Sequence, residues 1–541
     1  RMSLAYARLL RVLLRHRRAT VLVIGGLCAS TIPLYFKIGS EFFPSSDESQ
    51  FTLTFKTPIG TRVERTEQVA QRLEGVINGT IGAQAGEKTG KGSLYTTMIS
   101  DLGLPGGRTA LFTSNTGPHV GNLQINLLPK LQRDISDVQI VDKLRAALRE
   151  GFPGIQSFFF TGGIVKRILN FGAPAPIDVE ILGYDPDEAA QYARKLFAKM
   201  RAAQDAAGKP LLTDVQITRE ENYPELDIQV DREKAGVLGL SEQQVAQTVL
   251  ASLVGNSQFA PVRYTDPKTG NEYFINVRMA DAYRSKVSDL DDLVLRSPQG
   301  AMVPLSSIAT VKRSSGPVQI ARKYMQRVVD VTANVALGKS LGEASEAVRL
   351  AIDSLPPPDG FSVRLGGQSQ AQQEAFSGLG FAGLLAVALV YMVLAAQFKS
   401  LLEPLVIMCS VPLGLAGVVL ALYLTGTTLS VNSFMGVIMM VGIVVSNGVL
   451  LVDFANVLRR RGQPLIEATV EAGKTRLRPI LMTTIATIVG LLPMALGLGE
   501  GSEANLPLAR ADIGGLTVST VFTLFLVPTL YTVLGKYTAH Q

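Results

Sequence analysis

The stretch "GIVVSNGVLLVDFAN", Gly442 to Asn456, decides what kind of protein this is. It belongs to an apolar run long enough to cross a bilayer, yet it holds Ser446, Asn447 and Asp453. An unpaired carboxylate at the bilayer centre costs about 2.5–3.5 kcal/mol on insertion scales, so such residues face a protein interior or a water-filled path. Ser446 and Asp453 are seven residues apart and share a helix face with Leu450 between them. Asn447 lies about 100° round the helix. Two readings of Asp453 stay open. In one it lies near the cytoplasmic end of its helix, paired with an arginine of the following loop; in the other it works inside the membrane.

Outward from this stretch, the 541 residues are 47% apolar with a formal charge of +7 and a mean hydropathy of +0.24. The apolar residues cluster near the N-terminus and after about residue 376, leaving a mixed polar region between. That distribution describes a membrane protein with one large soluble excursion. The basic residues sit beside apolar runs, as in "RLLRVLLRHRR", without interleaved aromatics. They suit membrane anchoring and orientation, not nucleic acid. Cys28 and Cys409 both fall inside apolar segments, so neither a disulfide framework nor a Cys-based metal site is available.

Six segments are long and apolar enough to cross a bilayer, at 19–36, 377–397, 401–424, 432–457, 479–498 and 513–534. Arg8, Arg11, Arg15, Arg17 and Arg18 flank the first, and Arg459, Arg460, Arg461, Lys474, Arg476 and Arg478 lie between the fourth and fifth. The opposite connections, "TGTTLS" and "GEGSEANLPLARAD", hold only Arg510. The positive-inside rule therefore places both termini in the cytoplasm and the large excursion outside it.

Within residues 46–370 the hydrophobic period alternates between two and 3.6. "QFTLTFKTPI", "RVERTEQVAQRLEGVI" and "SLYTTMISDL" read as strand, helix and strand. Three further copies begin at "VGNLQINLLP", "APIDVEILG" and "RVVDVTANVA". Paired in this way they predict two split βαβ, ferredoxin-like subdomains. Residues 226–308 break the rhythm and read as an inserted small domain. The fold class is α+β: six transmembrane helices and a large extramembrane region.

Catalytic chemistry finds no foothold. His16, His119 and His540 are unpaired with any nucleophile and lack metal-ligand spacing. No phosphate-binding glycine loop with a Lys-Ser/Thr ending appears, and "GLPGGR" reads as a flexible loop. The methionines of the excursion are scattered singly, as packing residues are. The chain is therefore expected to be neither an enzyme nor a cofactor binder. In "FFF", Phe158 to Phe160, alternation sends Phe158 and Phe160 one way and Phe159 the other, so one face is a candidate cavity lining.

The stretches "IGSEFFPSSDESQF", "PELDIQVDREKAGVLGLS", "AAQFKSLLEPLVIM", "GIVVSNGVLLVDFA", "EATVEAGKTRLRPILMTTIATIVGLLPMALG" and "GGLTVSTVFTLFLVPTLY" cover nearly the whole chain in order. Together they resemble the resistance-nodulation-division (RND) permeases of the acriflavine-resistance type, which export hydrophobic and amphiphilic compounds. Such permeases have two similar halves of six spans, and this chain resembles the C-terminal one, whether truncated, split or a remnant. The resemblance implies a basic segment and first span at 1–36, a first porter subdomain at 37–172, a second at 173–225 with 309–370, a docking subdomain at 226–308 and five spans at 377–535. It implies a multi-pass protein of the bacterial inner membrane with a periplasmic region. The implied partners are an N-terminal half, two further copies in a trimer, a periplasmic adaptor, an outer-membrane channel and lipid. A proton gradient takes the place of any cofactor.

The resemblance also implies site residues. Ser446, Asn447, Asp453, Arg476 and Thr483 fall on or beside the family's proton relay, whose acids lie in the other half. The family places a lysine where this chain has Ser446, and a hydroxyl cannot neutralise a carboxylate as a cation does. Phe112, Phe158, Phe160, Ile177, Val179, Ile181, Gln216 and Thr218 match pocket-lining positions, and Gly103 to Gly107 match a mobile loop. A heavy-metal RND pump half, a Sec-type translocation motor and a non-transporting remnant are the rival readings.

Overall fold

The computed structural model describes residues 2–44, 46–82, 93–103, 116–163, 166, 168, 170, 173, 175–258, 260–499 and 501–534. Phe112 and most of the glycine-rich loop after Gly103 lie outside the described residues. The chain opens with α1 (Met2–Arg15), α2 (Arg17–Ala29) and α3 (Ile32–Tyr35). Leu10 and Leu14 of α1 are buried against the membrane helices described below.

A four-stranded antiparallel sheet follows, built from β1 (Gln50–Lys56), α4 (Val63–Ile81), β2 (Tyr95–Leu102), β3 (Val120–Leu127), α5 (Asp137–Gly151) and β4 (Gln156–Thr161). Its strand order is β2-β3-β1-β4. Strict alternation sends Phe51, Leu53 and Phe55 of β1 into one core with Leu73 and Ile77 of α4 and Ile140 and Leu144 of α5. A capping box between Ser136 and Gln139 starts α5, satisfying two backbone donors that would otherwise lack partners.

The second sheet begins with β5 (Ile177–Gly183), α6 (Pro186–Arg201) and β6 (Leu212–Ile217). A separate compact unit, Glu220–Gln319, then intervenes. It contains β7 (Tyr223–Val230), α7 (Arg232–Val237), α8 (Glu242–Leu253), β8 (Val262–Thr265), β9 (Glu272–Ile275), α9 (Ser288–Asp291), β10 (Val294–Arg296), β11 (Met302–Pro304) and β12 (Ala309–Gly316). Its strands of arrival and departure pair with each other, from Tyr223 opposite Gly316 to Val230 opposite Ala309. Its own core gathers Val245, Leu295, Leu305 and Ile308.

After it, β13 (Arg322–Lys323), β14 (Gln326–Val335), α10 (Leu341–Asp353) and β15 (Ser362–Gly366) complete the second sheet. The order is β13-β14-β5-β15, with β6 also on β14. The two sheets are tied by Arg145 of α5, whose Nε and Nη2 donate to both oxygens of Asp214 on β6 at 2.9 and 2.7 Å. Asn334 of β14 donates to the same carboxylate and to the carbonyl of Phe159.

The remaining helices are α11 (Gly367–Phe398), α12 (Leu402–Met408), α13 (Ser410–Leu424), α14 (Val431–Arg460), α15 (Leu465–Ala495) and α16 (Leu506–Leu534). With α2–α3 and with α12–α13 each taken as one span, six helical segments are long and apolar enough to cross a membrane. The helix α16 is central, packing on α13, α14 and α15. Three helices begin well before the apolar runs that predict them, α11 at Gly367 among them. Helix α15 starts at Leu465, so Lys474, Arg476 and Arg478 are helical, not loop. The segment before Pro479 contains good helix formers and is held by α1, whose Tyr6 and Leu10 lie against Gly473. Helix α16 starts at Leu506, which places Asp512 inside it.

Candidate functional site

On α14 the polar residues of the opening stretch part company. Asn447 is buried, at 5% exposure, whereas Ser446 and Asp453 are exposed on a stripe that also carries Met439 and Leu450. The periodicity explains this, because residues seven apart return to one face and the next residue turns away from it. Arg476 and Thr483 are also seven apart, on α15. The Arg476 guanidinium stacks 4.8 Å above the ring of Phe454, the neighbour of Asp453. Since α14 and α15 run in opposite directions, that contact sets Arg476 level with Asp453 and Thr483 level with Ser446. Thr483 is exposed and its hydroxyl donates to the carbonyl of Ile480 at 3.0 Å. Asp453 makes no ion pair with any described residue, so the pairing with an arginine of the next loop is not formed here, and the Arg476 Nε has no partner. Ser446, Asp453 and Thr483 therefore stand exposed on one side of α14 and α15, with Arg476 half-buried beside them.

Asn447 instead lines a cavity of about 10 Å³ with Val444, Leu451, Ile480, Ser519, Thr520, Thr523 and Leu524. That is close to the smallest space that holds one water. Thr484 and Thr520 meet beside it through their hydroxyls at 3.2 Å.

Sequence reasoning passed over two polar features of the bundle. Asn456 donates to Glu403 at 2.8 Å and accepts from the Tyr531 hydroxyl, which also receives a bond from Arg459. Asp512 is buried at 1% exposure, with both carboxylate oxygens unpartnered. Its signal is a charged residue within the apolar run, and it was hidden by starting the sixth span at residue 513.

In the second sheet Ile177, Val179 and Ile181 are fully buried. They pack beneath α6 and α10 with Leu196 and Val348, so they fill core. The other face of β5 is the polar one. There Gln216, Thr332 and Asp178 lie in one cross-strand row, with Asp330 opposite Glu180 in the next. Thr218 donates to the carbonyl of Asp330. Lys323 pairs with Glu180, while Asp178 Oδ1 and Thr332 Oγ1 are buried without a partner. Burial, with the charges of Asp330 and Glu180 behind it, pushes the Asp178 carboxyl up to about 8. Burial beside Glu180 raises Asp330 to about 6. In the first sheet, Phe159 joins the core under α4 and α5. Phe158 and Phe160 lie on the opposite face and are buried with Ala175.

A family model for the AcrB/AcrD/AcrF family matches residues 1–535. The chain belongs to that family of RND efflux permeases. Among similar proteins, the swarming motility protein SwrC of Bacillus subtilis is 30% identical over 99% of this chain and 48% of its own length. The multidrug resistance proteins MdtC of Klebsiella pneumoniae and Escherichia coli are each 28% identical over 97% of this chain and 48% of theirs. Two crystal forms of a heavy metal efflux pump superpose with TM-scores of 0.78 and 0.79 at 26% and 27% identity, covering 99% of this chain and 52% of theirs. The chain thus spans about half the length of the curated relatives it matches.

Proposed function

We propose that this chain is the C-terminal half of a proton-driven multidrug efflux permease, a transporter and not an enzyme. The observation that carries this reading is the uncovered polar face of α14 and α15, with Ser446, Asp453 and Thr483 exposed on it and Arg476 half-buried at its edge. Polar groups on the outside of a membrane bundle are costly against lipid and inexpensive against a second bundle that brings partners or water. A first half docked there would supply the relay acids, with Ser446 orienting water where the family has a lysine. In this reading the two sheets, whose strand orders suit split βαβ units, are periplasmic porter subdomains. The unit Glu220–Gln319 is the docking subdomain, three complete pumps assemble, and an adaptor and outer-membrane channel complete the path. The pocket lies on the polar face of β5 and β14 with Gln216 and Thr218, and on the side of β4 that carries Phe158 and Phe160.

The likeness to a heavy metal efflux pump favours a second reading, with metal ions as cargo. Expression in cells stripped of their own pumps, with and without a first half, separates these. Dye efflux is expected only when both halves are present. Efflux from this chain alone overturns the half-pump reading, and metal tolerance without dye efflux selects the second.

A further inference from the structure

The proposed relay does not use Asp512, and its surroundings set it apart from every other acid in the bundle. It lies six residues into α16, about 9 Å from the end nearest the excursion; beside that end, Glu503 pairs with Lys130. Its neighbours on the helix are tightly packed. A side chain added at Gly514 would meet Ala421 of α13, and one at Gly515 would meet Met440 of α14. Both Asp512 oxygens are shut away without a donor.

Among the described residues, no charged group faces it from the packed helices. Arg510, two residues back, is turned away and donates to the carbonyls of Ala495 and Thr425 and to Thr427 Oγ1. Tyr423, the titratable residue of α13, is 41% exposed. On α14 the level of Asp512 is Gly436 to Met440, and the first charged residue, Asp453, is about 20 Å further along. On α15 the contact of Thr484 with Thr520 fixes the register, which leaves Arg478, the nearest charge, about 20 Å away. Helix α2 meets α16 near Leu526, far from this level; the segment after α3 does reach it, where Ile38 and Leu429 join the cluster of Ala511 and Leu516, and its acid, Glu41, accepts a hydrogen bond from Thr428.

A carboxylate with neither cation nor donor in such a place is expensive. The protonated acid needs only one acceptor, such as a carbonyl of the preceding turn. Ser519 and Thr523 stand seven and eleven residues on from Asp512, on the same helix face, with the apolar Leu516 between Asp512 and Ser519. Ser519 and Thr523 line the water-sized cavity at Asn447.

We infer that Asp512 is a proton-binding site within the membrane, at the outer end of a file that runs along one face of α16, past Leu516, to Ser519, Thr523 and the cavity at Asn447. The step is a simple exchange: a water on the excursion side gives a proton to the carboxylate, and the acid returns it to a water entering along the file. This holds whether or not the chain exports drugs, because it concerns the protonation of one side chain.

The test is infrared spectroscopy of the full chain in phosphatidylcholine vesicles, comparing wild type with Asp512→Asn and Asp512→Glu. The expected result is a protonated-carboxyl carbonyl band that disappears in Asp512→Asn and moves in Asp512→Glu, with the amide bands unchanged. Asp512→Glu keeps the acid and serves where the Asn variant fails to fold. Ser519→Ala combined with Thr523→Val is expected to slow deuterium exchange at that band. A wild-type spectrum with no band that responds to either Asp512 substitution overturns the site, and exchange unaffected by the double variant overturns the file. Neither outcome depends on efflux, so failure here is distinct from failure of the half-pump reading.

Discussion

Asp178 shows how a single position carries information that the sequence pattern conceals. The stretch "IDVEILG" reads as a strand, whose alternation sets the isoleucine and valine side opposite the acids, but which face packs beneath helices is not in the pattern. Helices α6 and α10 took the isoleucine and valine side, leaving Asp178 among Glu180, Asp330 and Thr332. Its carboxyl is pushed up to about 8 by burial and by the neighbouring acids, against about 4 in an unfolded chain. The folded state therefore binds the extra proton between these values. Its stabilising contribution is fully present below about pH 4 and is lost as the pH rises towards about 8. Asp178→Asn should remove that part of the pH dependence, so the variant gains Tm relative to wild type on going from acid to mildly alkaline buffer. Each kcal/mol moves Tm by about 2–4 °C in a mid-sized domain, readable by circular dichroism. A Tm difference that is constant with pH would show that Asp178 does not bind the proton. Ser446 belongs to the same scale. Its face was readable from the seven-residue spacing, but its exposure was not, because burial depends on helices far away in sequence. In a completed pump, Ser446→Ala is expected to weaken proton-coupled efflux, and unchanged transport would remove the hydroxyl from the relay.

At the scale of elements, the span centres were plain in the hydropathy and the ends were not. Polar residues continue a helix past the apolar run wherever another helix supports them, as α1 supports the start of α15 through Tyr6 and Leu10 at Gly473. The packing of α13 on α16 is closer still. A β-carbon at Gly514 would lie 2.1 Å from that of Ala421, and one at Gly417 would lie 2.5 Å from the Gly514 carbonyl. Small residues let membrane helices approach in this way. Gly514→Val should therefore force the pair apart at a cost of about 1–3 kcal/mol or more, seen as a lower detergent unfolding temperature. An unchanged unfolding temperature would mean that the two helices are not so closely apposed.

For the whole molecule, the chain spans about half the length of the curated relatives it matches, and α14 and α15 carry an open polar flank. The sequence conveyed the first through ordered motifs, and the second required the packing of α14 on α15. The strands of both sheets were legible because period two and period 3.6 alternate cleanly there. Their pairing order arises from contacts across long separations, which local pattern does not encode. The inserted unit Glu220–Gln319 is also a whole-molecule feature, with its own core. Expressed alone it is expected to fold, with a cooperative thermal transition; an uncooperative melt would show that it depends on the rest of the chain.

The pairing of β7 with β12 has a further meaning. Because the outgoing and returning strands lie side by side, the host sheet experiences the whole insertion as a single point on its outline. Evolution can lengthen, exchange or delete what lies beyond that point without renegotiating the order of β6, β14, β5 and β15. What lies beyond that point is therefore free to drift at its own pace, while the sheet it leaves stays as it is.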